Sequence, residues 1–462
     1  MSKSKLYRKL LELEKENEKL KEENAYLRFE LEELKSKRYK PNKKKPPDNM
    51  PPGPIPAKKG ALFGHMGWFR KNPKRIDKIE HVSLSKCPLC GHSDITEYKD
   101  AVEHIQEDII IPKTEVTLFK KHRYYCKGCK KIVTGRAKDE LSNSYIGPKA
   151  KALSVFLKYA VKISERDIRN MFDKIFNLKI ATSSISGFKE QLKREAYPIY
   201  TQLIESLKQS GFIHADETGW NISGINHWLW KFSNKKISIT HIDKSRGQRV
   251  VEGILGDDYK GVLITDFLSA YNKIKTKSKQ KCLVHILRDL DKVIRYFHDD
   301  KEVLRYSKRL KTLFEKAIML YNEYRDKQWD RDYFKRRSFI AQSLLDFRFP
   351  NPNKKVLQRF VKRLNRHKDE LFTFLYEKNI DYHNNHAEQQ IRPDVIFRKI
   401  TFQNRSLKGA ENHQVLMSIL QTAKLNNIDP IKALTQILNG KNPLLGVIDS
   451  CKRSPPQVNY AG

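Results

Sequence analysis

Leucine recurs every seventh residue at Leu6, Leu13, Leu20, Leu27 and Leu34, a spacing that fits one helix with an apolar seam and little else. With these leucines at the d positions of a heptad, Leu10, Asn17, Asn24 and Leu31 fall at a. A buried asparagine amide needs its twin in a partner helix, so asparagine at a favours a parallel dimer in fixed register. The flanking charges agree. Each g residue would face an e residue five places on in the partner, pairing Lys9 with Glu14, Glu16 with Lys21, Glu23 with Arg28 and Glu30 with Lys35. Such pairs are individually weak, but a lone solvated helix would leave four matched signs to chance. Residues 1–38 therefore read as a parallel leucine zipper and the chain as a homodimer. A basic-zipper regulator fits poorly, because its basic region would precede the zipper.

Lys and Arg number 91 against 54 Asp and Glu, a net charge of +37, which calls for a polyanion partner, nucleic acid above all. The 20 Tyr, 22 Phe and 5 Trp are too many for a disordered chain. No apolar run approaches the roughly 18 residues that span a membrane, and the N-terminus lacks a signal-peptide core. The expectation is a cytoplasmic protein acting at DNA. Residues 39–80 form a basic, Pro-rich linker (YKPNKKKPPDNMPPGPIPAKKG and onward), an extended spacer whose lysines either track phosphate or stay solvated. Arg70 and Lys71, in GHMGWFRKNPKR, are candidate DNA contacts.

Cys87 and Cys90 (CPLC) and Cys126 and Cys129 (CKGC) supply four thiols. In a reducing compartment such pairs point to metal before disulfide, and four thiolates close a tetrahedral zinc shell. The gap between the pairs exceeds the usual length, but loop closure grows only logarithmically with length. Residues 81–140 read as a ribbon-like DNA-binding domain with one structural Zn2+, free thiols being the alternative; His92 reads as a surface residue. Residues 145–210 read as helical, with Ser164 and Ser183 or Ser184 as N-caps. Their short helices resemble a helix-turn-helix, a pattern that ordinary helical cores share.

From Gly211 the pattern becomes that of strands: FIHADETGWNI, HWLWKFSN and KISITHID, then a helix in RGQRVVEGIL and the apolar run GVLITD. Three antiparallel strands, a helix and a buried fourth strand is the opening order of an α/β ribonuclease-H-like fold. That order sets Asp216 on the first strand and Asp266 at the end of the fourth, where neighbouring strands could bring both carboxylates to one edge. Two carboxylates suit a divalent metal, and a third acid completes a two-metal site. After a long helical stretch, about residues 295–380, Glu388 stands in DYHNNHAEQQIRPDVIFRK. The catalytic domain would span 211–410 with that helical insertion, followed by C-terminal helices and a tail at 411–462.

These residues resemble the transposases of the insertion sequence 66 family, within the class that uses an Asp-Asp-Glu triad. The likeness runs along nearly the whole chain: the N-terminal heptads, GHMGWFR before CPLCG, the second CxxC, ADET around Asp216, NNHAE around Glu388, the following IRP, and AKLNNIDP. It implies a triad of Asp216, Asp266 and Glu388 holding two Mg2+ (or Mn2+) ions, with Arg392 and Arg398 near the DNA. Gln389 departs from the basic residue expected after the glutamate, and Asp257 or Asp258 compete with Asp266 from a turn before the strand. Cys282 and His285 (CLVH) resemble a Cys-x-x-His that follows the second acid in several transposases of this class, where it would support the core; a buried Cys and a helix His are the alternative. The implied activity is a DNA transposase, which hydrolyses a phosphodiester at the element's end and joins the freed 3′-hydroxyl to target DNA, in company with small accessory proteins of the element. The rival readings are a DNA-binding regulator or accessory subunit with an inactive domain, and a nuclease without strand transfer.

Overall fold

The computed structural model describes residues 3–37, 114–348 except 129, 136, 138, 139, 142 and 143, and 354–452, with 76, 79, 89 and 93 as isolated positions. Cys87, Cys90, Cys129, His92, Arg70, Lys71 and the Pro-rich stretch lie outside the described residues, and Cys126 is described in its backbone alone.

The heptad segment is one helix, α1 (Lys3–Lys37). Leu10, Leu13, Leu20, Leu27 and Leu31 are about half exposed along it, whereas Phe29 is buried. Phe29 occupies the f position, on the side away from the leucine seam. Its ring meets Phe297 edge-on with centroids 6.3 Å apart, and the Arg359 guanidinium lies 5.4 Å from its centroid. Glu22, another f residue, pairs with Lys354 at 3.5 Å. The outer face of the heptad helix thus docks on the chain's own helices, and the described seam leucines, Leu10 to Leu31, stay exposed.

A short exposed hairpin follows, β1 (Arg123–Cys126) against β2 (Lys131–Thr134). Next come α2 (Pro148–Phe156), prolonged by a π turn to Val161, α3 (Glu165–Phe176) and α4 (Thr182–Lys208). Ser164 caps α3 by accepting the Asp167 N–H at 3.1 Å. The cap expected at Ser183 or Ser184 is not formed. Ala181 takes the extended N-cap conformation instead, which leaves both serines inside the first turn of α4.

The central sheet is five-stranded and mixed, in the order β5-β4-β3-β6-β7. β3 (Phe212–Ile222), β4 (Ile225–Ser233) and β5 (Ser238–Asp243) form an antiparallel meander. Ser223 and Gly224, both at positive φ (51° and 86°), make the two-residue turn between β3 and β4, the geometry that matches strand twist in a tight hairpin. α5 (Gln248–Leu255) crosses over to β6 (Asp258–Thr265), which runs parallel to β3, and β7 (Lys275–Lys281) runs parallel to β6. Leu263 faces one core and Val262 and Ile264 another. A strand covered on both faces reads as an unbroken apolar run, which is why GVLIT lacks alternation.

Behind β7 stand α6 (Leu283–Tyr296), α7 (Lys301–Tyr324), α8 (Arg331–Leu345) and α9 (Lys355–His367), which share the second core with Phe29. The chain then returns to the sheet with α10 (Asn385–Thr401) and α11 (Leu407–Leu425), followed by α12 (Pro430–Leu438) and α13 (Leu445–Lys452). α11 closes the free edge of β5. Gln414 Oε1, Ser418 Oγ and Thr422 Oγ1, four residues apart on one helix face, accept the N–H groups of Ile242, Thr240 and Ser238 at 2.9, 2.8 and 3.1 Å. Side chains thereby satisfy donors that an edge strand otherwise offers to another chain. Among the described residues no helix is long and apolar enough to cross a membrane.

Candidate active site

Strand register brings the first two acids together. β3 and β6 pair in parallel as Phe212 with Val262, Ile213 with Leu263 and His214 with Ile264. Two residues beyond the last pair on each strand stand Asp216 and Asp266, at the same height on neighbouring strands. Asp258 opens β6, and Asp266 follows its last residue. Eight residues of extended chain separate them by about 26 Å. Asp258 is exposed and pairs with Lys260, so it lies away from the acidic site.

The backbone around Asp266 is fixed from two sides. Its Oδ1 accepts the Leu268 N–H at 2.8 Å, and Lys281 Nζ, from the end of β7, donates to the Asp266 carbonyl oxygen at 3.0 Å and to Thr265 Oγ1 at 3.1 Å. Burial lowers the Lys281 pKa to about 8, against the opposing pull of Glu370 and Asp266.

The third acid arrives on the first turn of α10, and a single asparagine sets where that helix begins. Asn384 donates its backbone N–H to Cys282 Sγ at 3.3 Å and its Nδ2 to the Ala215 carbonyl at 2.8 Å, while its Oδ1 meets His214 Nδ1 at 3.2 Å. It thereby ties α10 to β3 beside Asp216 and to the residue that precedes α6. Glu388 follows four residues later, with its N–H bonded to the Asn384 carbonyl at 3.1 Å. Among the described residues, its buried Oε1 has no hydrogen-bond partner. His214, between Asn384 and Asp381 (3.8 Å), is held neutral: burial, then the neighbouring His386, push its pKa far down.

The electrostatics register the crowding. Asp216 is pushed up to about 8, first by burial and then by the charges of Glu217, Asp266 and Glu388. Like charges drawn together in a partly dry site suit a divalent cation that neutralises them. Asp216, Asp266 and Glu388 offer only oxygen donors, the kind that Mg2+ or Mn2+ takes; among the described residues the donor atoms that lie within 4.8 Å of one another are those of Cys282, His285 and Glu388 rather than of these three.

Glu217 is a fourth acid that the sequence reading passed over. Burial, then Asp266, raise its pKa. Its carboxylate is already engaged by Arg246 at 2.7 Å and by the Tyr271 hydroxyl at 3.0 Å, and the Arg246 guanidinium stacks 4.2 Å over Trp228. The neighbour of Asp216 in ADET is therefore an acid bound to arginine. Its only trace in the sequence is that adjacency.

Cys282 is buried next to the acids, its thiol pushed up chiefly by burial. With His285 and Glu388 it forms a cluster whose donor atoms lie within 4.8 Å of one another. Arg392 is exposed on α10. Arg398 instead turns back onto the fold, donating to Thr218 Oγ1 at 2.9 Å and to the Gly219 carbonyl.

A network that the sequence did not reveal anchors the middle of α10. Lys231 lies opposite Asp216 on β4. Its Nζ lies 2.9 Å from Asp394 Oδ2, and His413 Nε2, on α11, lies 2.9 Å from Asp394 Oδ1, with all three side chains fully buried. Burial alone would raise the Asp394 pKa; the Lys231 charge and the His413 hydrogen bond outweigh it and hold the carboxyl below its usual range.

An uncharacterized protein, y4qI, of Sinorhizobium fredii (strain NBRC 101917 / NGR234) is 23% identical over an alignment 408 positions long that covers 79% of this chain and 72% of the relative. The model of the family described as "Transposase IS66 family" matches residues 143–412. That match takes in the whole five-stranded sheet, the helices behind it and all three acids, more than half of the sequence, and the chain belongs to the IS66 transposase family.

Proposed function

We propose that the protein is a DNA transposase that binds the ends of its insertion sequence and cuts and joins DNA at Asp216, Asp266 and Glu388. The observation that carries this reading is the register that sets Asp216 and Asp266 level on adjacent parallel strands, with Glu388 brought alongside by the Asn384 clamp. The strand order β5-β4-β3-β6-β7, with three antiparallel strands, a crossover helix and two parallel strands, supports a ribonuclease-H-like core. The three carboxylates would hold two Mg2+ (or Mn2+) ions, which when bound supply Lewis acidity and charge neutralisation at a phosphodiester. The protein's own part is placement. Lys281 fixes the backbone of Asp266, Asn384 fixes the start of α10, and Arg246 keeps Glu217 engaged beside the triad. Hydrolysis at the element's end leaves a 3′-hydroxyl, which attacks a target phosphodiester and expels the other 3′-oxygen.

The net charge of +37 suits two DNA segments in one complex. Counterion release then makes binding fall steeply with salt. A zinc ion on Cys87, Cys90, Cys126 and Cys129, DNA contacts from Arg70, Lys71 and Arg392, accessory proteins and a cytoplasmic setting belong to the same proposal. So does a homodimer through the leucine seam. Leu20→Pro, which breaks helix and seam together, should halve the mass measured by light scattering; an unchanged mass removes the zipper from the assembly.

The test of the chemistry uses the purified chain, Mg2+ and DNA carrying the element's ends. Both cut and joined products are expected, and Asp266→Asn should abolish them while Asp258→Asn keeps them. The opposite pattern would move the second acid to the start of β6. Cutting without joining would make the protein a nuclease, and DNA binding without either would make it a regulator.

A further inference from the structure

Cys282 ends the β7 connection and stands at the N-cap of α6, so His285 lies one turn into the helix on the same side. The first turn of α10 brings Glu388 against both. Cys282 Sγ, a His285 ring nitrogen and a Glu388 carboxylate oxygen all lie within 4.8 Å of one another. His285 Nδ1 and Glu388 Oε1 are buried and, among the described residues, lack hydrogen-bond partners. An unpaired buried polar atom costs about 1–3 kcal/mol, so two of them beside a thiol call for an occupant. Magnesium does not fit as that occupant, because it selects oxygen donors. A thiolate, an imidazole and a carboxylate with a fourth position open is instead a donor set for zinc. With zinc bonds of about 2.0–2.3 Å, closing the shell needs donor movements of roughly an ångström.

We propose that Cys282, His285 and Glu388 form a binding site for a zinc-class transition-metal ion, and that this ion competes with magnesium for the Glu388 carboxylate. Binding rests on the cluster itself; inhibition of cutting rests also on the reading of Glu388 as the third acid. A zinc ion held by sulfur and nitrogen would turn Glu388 away from Asp216 and Asp266, so zinc would act as an inhibitor from within the site.

Cobalt(II) is the probe, since its bond to a thiolate gives a charge-transfer absorption in the near ultraviolet. The full chain is stripped of metal with a chelator and titrated with cobalt in a background in which Cys87, Cys90, Cys126 and Cys129 are all replaced by Ser, which removes that set of thiolates. A thiolate band is expected there. It should vanish on adding Cys282→Ser, weaken at least tenfold in cobalt affinity on adding His285→Ala, and persist on adding Asp216→Asn. Absence of the band, or a band indifferent to both Cys282→Ser and His285→Ala, overturns the site. A band lost with Asp216→Asn assigns the ion to the acidic triad and overturns it equally. If Cys282→Ser fails to fold, His285→Ala carries the comparison. Zinc should also inhibit magnesium-dependent cutting, and inhibition at the same zinc concentration with and without His285→Ala would refute the competition. Loss of cutting in Asp216→Asn with the cobalt band retained separates this proposal from the triad on which its inhibitory consequence depends.

Discussion

Asp216→Asn is expected to lower Mg2+-dependent cutting and joining by about a thousandfold or more, the scale on which a site loses a group that stabilises transition-state charge. The same substitution should make the metal-free protein more stable at neutral pH. In the fold, Asp216 titrates at about 8; in the unfolded chain an aspartate titrates near 3.9. Below pH ~4 both states hold the proton, and the full stability is present. Between ~4 and ~8 the unfolded chain has released its proton and the folded chain has not, so stability falls as pH rises, by about 1.4 kcal/mol per unit at the limit. The Asp216→Asn variant lacks that slope, because its amide does not ionise. Thermal melts of both proteins in EDTA from pH 5 to 8.5 should start close together and diverge upward in pH, with the variant melting higher. Mg2+ should raise the wild-type melting temperature most at the alkaline end and leave the variant nearly unmoved. Parallel curves would mean that neither burial nor the neighbouring acids raise the Asp216 carboxyl in the fold. DNA binding should survive, since phosphate contacts come from Lys and Arg elsewhere.

The visibility of this site in the sequence varied with the range of the forces that build it. Asp266 was legible because a parallel strand buried on both faces writes an unbroken apolar run, and the acid ends it. Asp216 was legible because it sits within an aromatic, β-branched strand, and the meander beyond it is punctuated by short polar turns. Glu388 had no such local signal; only the resemblance carried by NNHAE singled it out, and its meaning comes from Asn384, whose partners lie at Cys282, Ala215 and His214. No pattern of period two or 3.6 encodes a clamp between residues more than a hundred positions apart. Glu217 and Arg246 were missed for the same reason, as was the triplet on α11 that covers the edge of β5. The leucine heptads pointed to a partner helix but not to the role of Phe29. A lone phenylalanine at f looks like a tolerated surface residue until Phe297 and Arg359 are seen around it.

The placement of Glu388 also depends on the buried ions that hold α10 down, and these carry the second large effect. Lys231 and His413 are each bonded to Asp394, all three fully buried, with Gln421 Nε2 donating to Asp394 Oδ2 at 3.3 Å. Removing one partner leaves an uncompensated charge in a dry core, which costs about 3–5 kcal/mol. Asp394→Leu strands the Lys231 ammonium, whose pKa burial already lowers, and Lys231→Met strands the carboxylate. Each is expected to lower the denaturant midpoint sharply and, by loosening α10, to lower cutting activity together with stability. The double variant Lys231→Met/Asp394→Leu should recover most of the lost stability, because two apolar side chains of similar size need no counter-charge. Its activity should recover only in part, since Met and Leu restore packing without the directional bonds that fix α10 against β4 and α11. Additive losses in the double variant, with the midpoint falling by the sum of the single effects, would show that Lys231 and Asp394 act independently and that their pairing is not what holds α10 down.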